Sequence, residues 1–181
     1  TGLYSFTIVG LPDKSVDESR ERVHAALKNS GLDSPKSRNH KLTVSLAPAE
    51  IKKEGAMFDV PIAISYLIAV GDIDGEHADT MLVGELSLSG DLQPLRGALA
   101  IASTAKQGGF KKIILPYQNR EEAGIVEDLE IYGAKNINEI VDHLSGKKLI
   151  DQHKSLNKNK NKIEIGTKRQ EIIITPIKEI K

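Results

Sequence analysis

The chain of 181 residues contains no cysteine. Disulfide bonds and thiolate metal sites are therefore excluded, and the composition is compatible with a reducing compartment. The chain also lacks an excess of charge, because 25 basic side chains balance 25 acidic ones. Binding of nucleic acid over a whole protein surface usually goes with a basic excess, so only a local basic patch remains open here.

Long apolar runs are missing as well. The longest, residues 60–70, is interrupted by Pro61, Ser65 and Tyr66, whereas about 20 apolar residues are needed to cross a bilayer. The first residues lack the basic head and apolar segment of a signal peptide. We therefore expect a cytoplasmic protein without membrane contact. Because Thr1 comes directly before a strand-like run, we also expect the chain to be part of a longer protein.

Charge is unevenly distributed along the chain. Residues 1–50 carry seven basic and six acidic side chains, residues 51–150 carry ten and fifteen, and residues 151–181 carry eight and four. The last stretch includes an Asn/Lys run, which is too polar to bury the apolar area that offsets the entropy of ordering. The sequence therefore predicts a folded domain over residues 1–150 and a basic low-complexity linker or tail over residues 151–181.

Periodicity within residues 1–150 alternates between strand and helix. Strands are predicted at residues 4–9, 42–46, 111–115 and 130–132, with a hairpin over residues 81–93 that turns at Ser89-Gly90. Helices are predicted at residues 12–31, from Asp59 through Ile68, and over residues 97–108, 121–126 and 138–144. The helix from Asp59 is apolar on nearly every side and is predicted to be the buried central helix. The pattern indicates an α/β (α+β) fold.

A set of sequence motifs recurs in order along the chain: residues 6–13 (FTIVGLPD), 18–23 (ESRERV), 44–49 (VSLAPA), 53–63 (KEGAMFDVPIA), 84–90 (GELSLSG), Arg96-Gly97 and 114–116 (ILP). Together these motifs resemble the ComM/YifB family of magnesium-chelatase-like AAA+ ATPases. The similarity covers roughly residues 3–149 and implies an N-terminal Lon-protease-like domain of the ribosomal-protein-like superfamily, with helices packed on a mixed sheet. ATP and magnesium would belong to the ATPase module that follows in the family, and no cofactor is expected in this chain.

The resemblance also implies a missing strand. Family members usually carry a strand-containing segment before Leu3, and its absence would leave one sheet edge unpaired, which favours pairing with another chain. Residues 171–174 (EIII) have β propensity. We hypothesise that this tail segment fills the edge.

Lon-type hydrolysis depends on a serine that is activated by a lysine, because serine is a poor nucleophile at its own pKa. When the motifs are aligned, the serine position falls at Asp59 and the lysine position at Leu99. The resemblance therefore implies no catalytic residue in this chain. For Asp59 two interpretations stay open, a helix N-cap and a remnant polar or ligand-contacting site.

Nucleotide and metal motifs are also absent from the sequence. Gly146-Lys147-Lys148 lacks the hydroxyl residue and the upstream glycine of a Walker A loop, and it is interpreted as a helix stop before a basic linker. The acidic residues at 72–79 do not follow the ligand order of a calcium loop and predict a solvated loop. No metal site is expected from the five scattered histidines, which are His24, His40, His77, His143 and His153.

Basic side chains near the first long helix are the remaining functional signal. A patch for phosphates or for a partner is one interpretation, and solvated ion pairs with the interleaved Glu18 and Glu21 are the other. Arg96 is a further candidate contact, and a role in capping or bracing a turn is its alternative interpretation. The candidate contact residues are Arg20, Arg22, Lys28, Lys36, Arg38, Lys41 and Arg96.

Three functions are compatible with these observations. The resemblance implies a module of a DNA-recombination ATPase that supports ring assembly or contacts DNA, with self-association, DNA and the AAA+ module of the same chain as partners. The alternatives are a protein-interaction or oligomerisation domain without DNA binding, and a degenerate Lon-like peptidase or other enzyme. The balanced charge slightly favours an interaction domain over a DNA-binding one.

Overall fold

In the computed structural model, residues 4–154 are described. They form eight strands and six helices in an α/β arrangement, which confirms the predicted fold class. The strands are β1 (Ser5–Val9), β2 (Lys41–Ser45), β3 (Thr80–Leu82), β4 (Glu85–Leu86), β5 (Leu92–Gln93), β6 (Lys112–Pro116), β7 (Glu130–Ala134) and β8 (Gln152–His153). The helices are α1 (Lys14–Asp17), α2 (Ser19–Asn29), α3 (Asp59–Ala69), α4 (Ala98–Gln107), α5 (Arg120–Ala123) and α6 (Ile137–Leu144).

The main sheet has the strand order β3-β6-β7-β8. Its first three strands are parallel, and β8 adds to β7 in the antiparallel direction, so the sheet is mixed. Two smaller pairs complete the strands: β1 lies parallel to β2, and β4 and β5 form an antiparallel hairpin. The predicted hairpin is thus correct at its turn, whereas β3, which was predicted to be part of it, belongs to the main sheet.

The main sheet is covered on both faces, which explains why its parallel strands are nearly continuous apolar runs. Alternate residues of β6 point to opposite sides. Ile114 joins the larger apolar core with α2, α3 and α6, whereas Ile113 and Leu115 join a second core with α4 and α5. Each of these side chains is at most 1% exposed, and its burial contributes about 1.5–3 kcal/mol.

The first predicted helix is interrupted. Its four predicted core residues, Val16, Val23, Ala26 and Leu27, are all fully buried, but Glu18 separates α1 from α2. At this point the carbonyl of Asp17 accepts a hydrogen bond from the Arg20 side chain. The two helices therefore meet at a local break while their apolar side faces one core.

Folded structure continues slightly past the predicted boundary at Ile150, because β8 pairs with β7 through Ile131 opposite His153. The tail segment 171–174 lies outside the described residues, so its predicted pairing with the sheet edge lies outside them too. In the described part of the chain, the longest helices have 11 residues, and none is long and apolar enough to cross a membrane.

Candidate functional site

Asp59 lies at the start of α3, where the aligned Lon serine is expected. The prediction that it caps this helix is wrong. Phe58 occupies the N-cap position, and Asp59 is the first helical residue, because a short 3-10 turn over Ala56–Phe58 leads directly into α3. The carboxylate points away from the helix end and accepts hydrogen bonds from Arg22 and from the backbone N–H of Leu86.

The Asp59–Arg22 contact is a two-point ion pair. Arg22 Nε lies 2.7 Å from Asp59 Oδ2, and Arg22 Nη2 lies 3.1 Å from Oδ1. The guanidinium also donates to the carbonyl of Ser15 at 2.7 Å and to Ser19 Oγ at 3.1 Å. The Asp59 side chain is fully buried and that of Arg22 is 17% exposed. The hydrogen bond to Asp59 raises the pKa of Arg22.

Backbone contacts fix the first turn of α3 from the other side. Gly84 donates its N–H to the carbonyl of Met57, and the N–H of Val60 donates to the carbonyl of Gly84. Glycine fits this close approach, because a Cβ at Gly84 would lie 2.7 Å from Val60 Cγ2 and would force a shift. With Leu86 N–H bound 3.1 Å from Asp59 Oδ2, the carboxylate joins α2, α3 and β4 at one buried point. The Asp59 carboxylate thus accepts its hydrogen bonds from the Arg22 side chain and the Leu86 backbone of the same domain.

Leu99, at the aligned lysine position, lies in the first turn of α4 and is 38% exposed. Its backbone N–H donates to Glu122 Oε1 at 3.1 Å, which satisfies one free amide of this helix end. The preceding Gly97 has φ +76° and serves as the N-cap without a side chain. The position aligned with the Lon serine therefore carries a carboxylate that is ion-paired with Arg22, and the position aligned with the Lon lysine carries an aliphatic side chain.

The structure does not bring the predicted basic patch together. Arg20 pairs with Asp17 at 2.8 Å, and Arg22 is turned inward to Asp59. Arg38 bridges Asp33 and Asp72, with its closest oxygens at 2.8 and 2.9 Å, respectively. Thus all three of these arginines are neutralised by carboxylates.

The other candidate contacts are exposed side chains without an ion pair within residues 4–154: Lys28, Lys36, Lys41 and Arg96. As contact residues they stay predictions. They come from α2, the loop after it, β2 and the segment after β5, so no single helix face presents them.

Residues 146–148 do not fit an ATP site. Gly146 has φ +69° and follows the last turn of α6. The amides of Lys147 and Lys148 donate to the carbonyl of Asp142, at 2.9 and 3.2 Å. A phosphate-binding loop needs its amides to face the phosphates at a helix N-terminus, whereas these amides close a helix C-terminus. The predicted helix stop is confirmed.

The acidic loop after α3 makes local contacts. Asp72 binds Arg38, and Asp79 lies 3.4 Å from Lys112 and accepts from Thr80 Oγ1. His77 Nε2 lies 3.2 Å from the carbonyl of Asp74. Across residues 4–154 no three histidine or acidic side chains gather as a metal-binding group would require.

A cleft that the sequence did not predict lies at the end of β7. Its volume is about 380 Å³, within the range of small-ligand pockets. Tyr117, Arg120 and Lys135 line it together with residues 148–154. The Arg120 guanidinium carbon lies 3.6 Å from the centre of the Tyr117 ring, and Lys135 Nζ lies 5.0 Å from it. Both distances are typical of cation–π contacts.

Backbone geometry shapes this cleft. A Cβ at Gly133 would lie 3.2 Å from the Arg120 side chain, so glycine leaves room for it across β7. A Cβ at Gly124 would lie 2.6 Å from the His153 ring, so glycine also lets β8 seat against the end of α5. One signal was available in the sequence: Tyr117 and Lys135 lie within three residues of the ends of two predicted strands, 111–115 and 130–132, and the ends of parallel strands commonly carry ligand contacts.

Comparisons with known proteins agree with this architecture. The chain matches the family described as subunit ChlI of Mg-chelatase over residues 1–119. It is 40% identical over 146 residues to competence protein ComM of Haemophilus influenzae and 38% identical over 154 residues to the uncharacterized protein YifB of Escherichia coli. These matches cover 80% and 84% of this chain, but 28% and 30% of the relatives.

A more distant similarity connects the chain to Lon. Lon protease 2 of Bacillus subtilis is 26% identical over 151 residues, which cover 80% of this chain and 26% of the protease. The match is consistent with the Lon-protease-like fold implied by the sequence motifs. The chain belongs to the ChlI, or magnesium-chelatase-like, family, together with ComM and YifB.

Proposed function

We propose that this domain is a non-catalytic N-terminal module of a magnesium-chelatase-like AAA+ ATPase that acts in DNA recombination during transformation. In this proposal it contacts DNA and supports assembly of the ATPase ring, while ATP and magnesium bind to a different module. The proposal rests on family membership and on the similarity to a competence protein, of which this chain spans about a quarter to a third.

One observation supports the non-catalytic part most strongly. Where Lon-type chemistry requires an accessible hydroxyl, Asp59 is fully buried and holds the Arg22 guanidinium through two hydrogen bonds. A carboxylate in this state is neutralised and shielded from a substrate. A nucleophile needs the opposite environment, with access to the substrate and a neighbouring base.

A hydrolysis assay tests this part. The chain is incubated with casein and with a fluorogenic peptide, and product is compared with a protein-free blank. We expect no hydrolysis above the blank. Hydrolysis by the unmodified chain that Asp59→Ala abolishes would overturn the proposal and support the degenerate-peptidase alternative.

DNA contact is tested by fluorescence anisotropy with labelled single-stranded and branched DNA. We expect weak binding that falls steeply as salt rises, because released counterions drive binding to phosphates. No detectable binding at low salt would remove DNA contact from the proposal.

A second candidate function, oligomerisation without DNA binding, is favoured by exposed apolar side chains near the ends of β1 and β2. Val9, Leu11 and Ile51 are 42%, 55% and 57% exposed. The segment after β1, which carries Leu11, lies beside the segment after β2, which carries Ile51, because the N–H of Lys53 donates to the carbonyl of Leu11. Light scattering at rising concentration discriminates: self-association that Leu11→Ser weakens supports this function, and a strict monomer contradicts it.

A further inference from the structure

We propose that the cleft formed by Tyr117, Arg120, Lys135 and Lys148 binds the phosphate backbone and a base of single-stranded nucleic acid. This inference rests on the proposed DNA contact and assigns it to a surface distinct from the basic side chains of α2 and β2. It follows from the position of the cleft in the sheet, from its charge and from its aromatic side chain.

The position of the cleft follows from how the chain leaves the parallel strands. After β6 the chain enters α5, which packs on one face of the sheet through Ala123. After β7 it enters α6, which packs on the opposite face through Ile137 and Ile140. Connections that diverge in this way open a crevice at the carboxyl ends of the strands, where α/β proteins commonly bind ligands. Tyr117 and Lys135 are the first residues beyond these two ends.

Charge in the cleft favours an anion. Arg120, Lys135, Lys148 and Lys154 line it, against the carboxylates of Glu139 and Asp151. Glu139 is already engaged, because its Oε2 accepts the backbone N–H of Lys135 at 2.7 Å. Lys135, Lys148 and Lys154 are exposed. None of the three forms an ion pair within residues 4–154. These lysines therefore remain available to a ligand.

The aromatic component favours nucleic acid over a plain anion. Tyr117 is 38% exposed, although it is a large apolar side chain, and Arg120 stacks on its ring. Such a stack is rigid before any ligand arrives, because Arg120 Nη1 also donates to the carbonyl of Tyr117 at 2.7 Å. Proteins bind single strands with this combination, in which basic groups follow the phosphates and a ring or guanidinium stacks on a base.

The size of the cleft favours a single strand over a duplex. A volume of about 380 Å³ is suited to a group of nucleotide size. It does not admit the width of a double helix, whose bases are also already stacked on each other. A strand with unpaired bases presents both the phosphate and the free base surface that the cleft matches.

The test is a fluorescence anisotropy titration of the 181-residue chain with a fluorescein-labelled oligothymidylate at low salt. We expect the variant Lys135→Gln/Lys148→Gln to bind about tenfold more weakly. Its slope of log K against log salt should fall by about 1.4, since each single-strand phosphate contact contributes about 0.7. Tyr117→Leu should also weaken binding about tenfold through loss of stacking.

The matched control is Lys14→Gln/Lys52→Gln, which removes the same charge from α1 and from the segment before α3, at two exposed lysines that are not predicted contacts. We expect its affinity to stay within twofold of the unmodified chain. Urea unfolding of all variants checks that the fold is kept, which is expected because the four lysines are exposed.

Outcomes separate this inference from the broader proposal. Suppose that the unmodified chain binds the oligonucleotide. If the cleft variant then has the same affinity, or if the control loses as much affinity as the cleft variant, the assignment to the cleft is overturned while DNA contact stands. If no binding occurs at low salt, both the cleft assignment and the proposed DNA contact are overturned.

Thymidine monophosphate should compete poorly with the oligonucleotide for the cleft. Competition at the same concentration as the oligonucleotide would assign the cleft to a free nucleotide and overturn the strand assignment.

Discussion

Two groups of charged side chains in this domain differ in what surrounds them. The Asp59–Arg22 pair is enclosed by α2, α3 and β4, and its groups bind to one another and to the backbone. The cleft beside β7 contains lysines that are exposed and unpaired within the described chain. A buried, satisfied pair specifies structure, whereas exposed cations next to an aromatic ring are available to a ligand. We propose that the position aligned with the Lon serine has a structural role in this domain, and that binding takes place at the carboxyl ends of β6 and β7.

The largest expected effect comes from breaking the buried pair. Arg22→Met leaves the Asp59 carboxylate buried with the Leu86 N–H as its remaining described donor. We expect the free energy of unfolding to fall by about 3 kcal/mol in a urea titration, because an uncompensated buried charge is costly. The matched control, Arg38→Met, removes a partly exposed arginine whose ion pairs face solvent, and it should cost clearly less stability than Arg22→Met because solvent-exposed ion pairs contribute little.

A double variant sharpens this result. Arg22→Met/Asp59→Leu removes both charges, and we expect it to recover most of the stability lost in Arg22→Met, since apolar replacements of buried pairs are often tolerated. If the double variant is as unstable as the single one, the loss comes from packing of the Arg22 side chain and not from the unpaired carboxylate.

A smaller effect is expected where β8 closes the cleft. In Gly124→Ala the new methyl group would lie 2.6 Å from His153 Cδ2 and 2.9 Å from the carbonyl oxygen of Arg120. We expect a loss of about 1–2 kcal/mol from this overpacking, together with faster amide exchange in β8. Gly108→Ala is the control, because its Cβ would make ordinary contacts at 3.4 Å. Equal amide exchange in both variants would show that the β8 contact does not depend on Gly124.

The smallest effect concerns pH. Burial lowers the pKa of His143 below 6.5, and its Nδ1 accepts the backbone N–H of Ile150 at 3.0 Å, just before β8. The folded state therefore binds a proton on the His143 ring less well than the unfolded state does. The contribution of His143 to stability is fully present above about pH 6.5 and is lost as the pH falls through the lowered pKa.

Urea titrations at pH 7.5 and at pH 5 measure this contribution. From pH 7.5 to pH 5, we expect the free energy of unfolding to fall less in His143→Gln than in the unmodified chain. His24→Gln is the comparison, because the pKa of His24 is also lowered by burial while its ring contacts Ser34 and not the segment before β8. An unchanged pH dependence in His143→Gln would contradict the assignment.

Much of the fold could be predicted from local pattern. The apolar alternation of β1 places Phe6 and Ile8 inward, and the helical spacing of Val16, Val23 and Leu27 places them in the core. These signals are local because burial of one face imposes a period of two or of 3.6 residues. The break at Glu18 coincides with a hydrogen bond from the Arg20 side chain to the carbonyl of Asp17, and hydrophobic periodicity carries no information about such a contact.

The role of Asp59 could not be predicted from its neighbours. Aspartate before Val60-Pro61 fits an N-cap, but a 3-10 turn shifts the helix start by one residue, and its partner Arg22 is 37 residues away in sequence. Similarly, β8 has two residues in a polar stretch and is held by pairing with β7 and by contact with Gly124. Both features arise from tertiary contacts between distant segments.

The most direct test measures oligonucleotide affinity by anisotropy in two variants whose folding is first checked by urea unfolding, Arg22→Met/Asp59→Leu and Lys135→Gln/Lys148→Gln. We expect the first to bind as the unmodified chain does, and the second to lose about tenfold in affinity. Loss of binding in the first variant with retention in the second would show that the ligand acts at the Lon-aligned position and would contradict the separation of structure from binding.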